Sequence, residues 1–137
     1  MTNLRAPDGA YISNIGPREK AIILARAAKI GESYNLCRET SIRLSDDLGF
    51  PAQVMRCHGL KTEAPDADAR WLALAIQSFW VHFVVKIGED VIDLTRRQFF
   101  PRSGFPFIQS FSACEAEWDS VGVDVPRSRF RELQTLP

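Results

Sequence analysis

The chain has 137 residues, 17 Lys and Arg against 17 Asp and Glu, 45% hydrophobic and 10% aromatic residues, and three cysteines. One domain spanning residues 1–137 is the default at this length, with about two-thirds of the unfolded surface open to burial, and nine Phe and three Trp exclude a disordered chain. A net charge of zero supplies no field for nucleic acid or an anionic membrane, whose binding draws on Lys and Arg neutralising phosphates.

Residues 1–16 carry Pro7, Gly9 and Gly16 among small polar residues, which predicts a loose N-terminal arm. Pro17 then opens a helix through Ala21, Ile22, Ile23, Leu24, Ala27, Ala28 and Ile30 that Gly31 stops. After a break at Gly31–Tyr34, Leu36, Cys37, Thr40, Ile42, Leu44 and Leu48 are spaced for one buried helical face, with Gly49 as the C-terminal stop. Cys37 thus falls at the start of the second helix. Beyond Phe50-Pro51 the period changes: Ala52, Val54 and Arg56 alternate with Gln53, Met55 and Cys57, which suits a strand of about six to eight residues. Lys61 to Ala69 is polar, and Arg70 to Gln77 fits either a short helix or a strand. Phe79 to Ile87 is aromatic and β-branched, Gly88-Glu89-Asp90 is a turn cluster, and Val91 to Leu94 resumes the extended pattern, so this stretch predicts a hairpin. Pro101, Gly104 and Pro106 mark a long loop. Ser112 with Glu115 reads as a capping box opening a short helix through Trp118, and the tail after Gly122 has no strong period. The order is helix, helix, strand, hairpin, short helix, an α+β unit.

No run reaches the roughly 18 apolar residues of a membrane span, and Met1–Gly9 lacks the apolar core of a Sec signal. Cys37, Cys57 and Cys114 form no CxxC pair and read as free thiols, which suits a reducing, cytoplasmic compartment. Cys57 and His58 are adjacent on a strand and point to opposite faces, and a site of Cys57, His58 and Cys114 lacks a fourth ligand, so neither a metal nor a cofactor is expected.

With only two histidines, His-dependent chemistry must use His58 or His82. A cysteine nucleophile needs a lowered pKa, a base within reach and a group that orients the base. Helix N-termini favour the thiolate, and Cys37 is the cysteine placed at one. Pairing about the turn at 88–90 sets residue 82 near 95–97 and Asp93 near 84, a diagonal approach on one face if the register is regular. Taken singly, Cys37 is a small buried hydrophobe, His82 between Val81 and Phe83 a structural histidine, and Asp93 a turn residue. Trp71, Phe79, Trp80, Phe99, Phe100, Phe105, Phe107, Phe111 and Trp118 read as core and loop packing, some around 99–107 lining a cleft beside the hairpin.

The joint pattern adds to these readings. Asn35-Leu36-Cys37, then Leu48-Gly49-Phe50-Pro51-Ala52-Gln53-Val54 with Gly59, then His82-Phe83-Val84-Val85 and Asp93-Leu94-Thr95 resemble the transglutaminase-like and papain-like cysteine hydrolases. Asp93 through Phe99 is similar to the compact papain-fold domains of bacterial toxins and secretion-system effectors. The resemblance spans residues 33–100. It implies N-terminal helices with a nucleophile at a helix start, packed on a small antiparallel sheet that carries His and Asp. It also implies a Cys37-His82-Asp93 triad that cleaves or transfers an amide acyl group of a target protein, as a protease, a glutamine deamidase or a transglutaminase. Lys29 to Tyr34 contains none of the glutamine that papain-like enzymes place before the nucleophile, so oxyanion and substrate contacts fall to Ser33, Tyr34, Asn35 or a backbone N–H. Arg38 follows the nucleophile where many transglutaminase-like chains carry an aromatic. The implied partners are a protein or peptide substrate and a cognate immunity or inhibitor protein, with delivery as an effector as the alternative to a cytoplasmic location. A non-catalytic binding domain on the same scaffold is the competing class.

Overall fold

The computed structural model describes residues 13–30, 37–61, 63–64, 67–69 and 81–124. Most of the N-terminal arm, the break at 31–36 with Ser33, Tyr34 and Asn35, and the ambiguous 70–77 stretch lie outside the described residues. The described chain forms α1 (Pro17–Ile30), α2 (Cys37–Leu48), β1 (Gln53–Leu60), β2 (Val81–Ile87), β3 (Asp90–Asp93), a 3-10 turn (Arg96–Gln98), β4 (Phe107–Ser110), α3 (Phe111–Glu117) and β5 (Trp118–Val123). It is an α+β arrangement of three helices on one antiparallel sheet, ordered β4-β3-β2-β1-β5.

The helix ends follow from local chemistry. Pro17 stands first in α1, where its missing N–H costs nothing, while Glu19 in the first turn and Lys29 in the last complement the helix dipole. Thr40, Leu44 and Leu48 repeat every four residues and form the buried stripe of α2. Gly49, at φ 74°, ends α2 in the left-handed conformation that a side chain disfavours, and its N–H bonds the Ser45 carbonyl at 2.9 Å. Arg26 Nε donates to Asp47 at 2.7 Å and ties α1 to α2.

Period-two alternation then divides the apolar residues between two layers. Val85, Ile92 and Leu94 join Ile23, Ala27, Leu44 and Leu48 of α1 and α2. Their neighbours Val84 and Val91 join Met55, Cys57, Phe99, Phe100, Cys114 and Trp118 on the opposite face, which α3 covers. Covered on both faces, the central strands are buried along much of their length.

The structure corrects three expectations. The cap of the short helix is Ser110, whose Oγ accepts the Ala113 N–H at 3.1 Å, and Ser112 lies inside the helix. Two serines two residues apart both fit a cap, and the strand that delivers the chain to α3 ends at Ser110. That strand, β4, occupies the end of what reads as a loop after Pro106. The helix stops at Glu117, and Trp118 opens β5, an edge strand whose partner is β1 from Met55↔Val123 to Leu60↔Trp118. Alternation is faint in β5 because it is half solvent-facing and carries Asp119, Ser120 and Gly122.

Candidate functional site

β2 and β3 are joined by the two-residue link Gly88-Glu89, with Gly88 at φ 59°. Their register, Val85↔Ile92, Lys86↔Val91 and Ile87↔Asp90, is regular. Extended by the same offset it sets Val84 against Asp93 and leaves His82 and Asp93 diagonal on one face. The two side chains meet there: His82 Nε2 and Asp93 Oδ2 are 2.8 Å apart, with His82 1% and Asp93 3% exposed. The second carboxylate oxygen of Asp93 accepts the backbone N–H of Thr95 at 3.1 Å. Both oxygens are therefore occupied, which fixes the plane of the acceptor.

The imidazole is gripped on its faces as well. Trp118 stacks on it at 5.6 Å between centroids and 19° between planes, and Phe99 meets it edge-on at 5.0 Å and 72°. With Nε2 committed to Asp93, Nδ1 is the remaining ring nitrogen; it is buried and, among the described residues, has no partner of hydrogen-bond geometry. A structural histidine of this depth ordinarily satisfies both nitrogens.

Cys37, the first residue of α2, supplies the thiol next to this ring. Burial pushes its pKa up, but the adjacent His82, together with a backbone hydrogen bond from Phe83, outweighs burial and holds it below the usual thiol value. Burial in turn acts to lower the His82 pKa, and the charge and hydrogen bond of Asp93, then the thiol, overcome this and raise it to about 10. The imidazolium of His82 thus biases the neighbouring Cys37 thiol toward its thiolate form. The start of α2 is pinned in place by Arg38, whose Nε donates to the buried Asp124 carboxylate at 3.1 Å and whose guanidinium lies 5.7 Å from the Phe83 ring centre.

Cys37, His82 and Asp93 are thus brought together, whereas Ser33, Tyr34 and Asn35 lie outside the described residues. Cys57 and Cys114 are not part of this cluster. They touch each other in the core, and that contact and burial push the Cys57 thiol well above its ordinary range. Sequence reasoning missed the role of Trp118, reading it only as packing; its place on β5, one strand beyond β1 from the histidine, is a signal that becomes visible only once the strand order is known. A cavity of about 320 Å³ lined by Ile15, Glu19, Pro51, Ile87 and Glu89 lies at the hairpin turn, five residues along β2 from His82 or roughly 17 Å at strand rise.

No family model, characterised protein or solved structure matches the chain. The chemistry therefore rests on the residues themselves. Among the described residues no helix is long and apolar enough to cross a membrane.

Proposed function

We propose that this chain is a cysteine-dependent hydrolase or acyl-transferase that acts on amide bonds of a target protein through Cys37, His82 and Asp93. The observation that carries the reading is the buried His82–Asp93 hydrogen bond of 2.8 Å on one ring nitrogen, with the thiol of the helix-start Cys37 next to the same ring. Cys37 attacks the amide carbonyl as thiolate, and Nδ1–H of His82 protonates the leaving amine, which leaves a thioester. Nδ1, now unprotonated, takes a proton from the incoming nucleophile, while Asp93 accepts from Nε2–H and keeps the tautomer correct throughout. Backbone N–H groups in the first turn of α2, which lack helical partners, face the developing oxyanion. Water as the second nucleophile gives a protease or glutamine deamidase, and a lysine amine gives a transglutaminase.

The balanced charge of the chain suits a protein substrate recognised by shape. The resemblance to compact toxin and effector domains supports a single protein target in another cell and a cognate immunity protein as partner. The test is incubation of the protein with a lysate followed by mass spectrometry. Cut chains, glutamine-to-glutamate conversions or isopeptide crosslinks are expected with the native protein and absent with Cys37→Ala. Products that persist undiminished in a folded Cys37→Ala variant overturn the reading.

A further inference from the structure

Arg96 and Glu117 form a bidentate ion pair inside the molecule, with Nη1–Oε1 at 2.9 Å and Nη2–Oε2 at 2.6 Å and both side chains less than a tenth exposed. The guanidinium lies 3.9 Å from the ring centres of both Phe100 and Phe107, and Gln109 Nε2 donates to Glu117 Oε1 at 2.9 Å. So costly a pair demands a reason, since well-packed apolar residues of similar volume usually stabilise a fold as well or better. What a planar fork between a guanidinium and a carboxylate supplies is geometry.

The segments it joins show which geometry. Arg96 follows Thr95, whose N–H holds Asp93 Oδ1. The Arg96 carbonyl accepts the N–H groups of Phe99 and Phe100 at 3.0 and 2.9 Å, which delivers Phe99 edge-on to His82. Glu117 immediately precedes Trp118, which stacks on the same ring. Three groups that contact His82 or its acceptor are therefore one or a few bonds from this pair, although its members are 21 residues apart in sequence.

We propose that Arg96 and Glu117 are positioning residues for the His82–Asp93 couple, locking the 3-10 turn against the α3–β5 junction so that Thr95, Phe99 and Trp118 hold the imidazole in line with Cys37. The inference rests on the triad reading given above. Its test is the pH profile of iodoacetamide alkylation of Cys37, followed by mass spectrometry, in two variants. Glu117→Gln keeps the shape and breaks the charge-assisted fork; Arg96→Met combined with Glu117→Leu fills the space without charge.

In each variant the rate at pH 6.5 is expected to fall about 10-fold, the effect of a rise of roughly one unit in the thiol pKa, with the rate at pH 10 unchanged. A purely structural pair would shift the melting temperature and leave the profile alone. A cooperatively melting variant with the wild-type profile overturns the proposal, as does failure of both variants to fold, which would give the pair a structural role only. A wild-type profile with no alkylation below pH 8 would instead sink the triad itself, so the two failures are told apart.

Discussion

Asn in place of Asp93 is the sharpest probe of the site, because it keeps the shape and removes the charge. The carboxylate is the main group that lifts His82 from 6.5 to about 10, a net preference for the imidazolium of roughly 5 kcal/mol. Without it, burial acts to lower the His82 pKa, and the ring becomes neutral at pH 7. The Cys37 thiol then loses the cation that offsets its own burial, and its pKa rises. Each unit of rise cuts the thiolate fraction below the pKa about 10-fold, so alkylation by iodoacetamide at pH 7 should drop roughly 10-fold or more and recover as the pH is raised. The assay is the pseudo-first-order rate from pH 5 to 10, with peptide mapping to assign the label to Cys37. Wild-type rates across that range in a folded Asp93→Asn protein would refute the chain of reasoning from carboxylate to imidazolium to thiolate.

Further outcomes follow from the same structure. The folded His82 has a raised pKa, so its stabilising contribution is complete below 6.5 and is lost as the pH rises through about 10; in a Cys37→Ala background the thermal midpoint should decline between pH 7 and 10, and adding His82→Phe should flatten that decline. Native alkylation should label Cys37 alone, whereas in urea all three cysteines react, because Cys57 and Cys114 are buried against each other; a Cys57→Ser protein that loses Cys37 labelling would contradict this. Gly59 sits at φ 69° opposite Asp119, and a Cβ there runs into the Asp119 carboxylate, so Gly59→Ala should lower stability by about 1–3 kcal/mol in urea unfolding. A loss below a few tenths of a kcal/mol would show that β1 yields freely at this point.

The readable parts of this chain were those fixed by near neighbours. Pro17, Gly49 and the four-residue repeat of α2 set helix boundaries through local backbone chemistry, and the short link at Gly88 set the register that brings His82 and Asp93 together. The β4 and β5 strands escaped because each is an edge whose hydrogen bonds come from a remote partner. Phe107–Ser110 follows two prolines and a glycine, and Trp118–Val123 holds mostly polar or small residues after its first. Arg96 and Glu117 stand 21 residues apart, and only the folded chain brings them within reach of each other. Trp118 was recognisable as an aromatic to be buried, but its use as one wall of the histidine depends on the pairing of β5 with β1.

The placement of β5 also bears on when the site comes into being. Cys37, His82 and Asp93 are all synthesised before Trp118, yet the face of the imidazole remains uncovered until β5 docks on β1, the pairing that joins the first strand of the sheet to the last. Contacts so distant along the chain carry a loop-closure entropy cost that slows folding. Until that pairing forms, the His82 ring lacks one of the two aromatic side chains that pack on it in the folded protein.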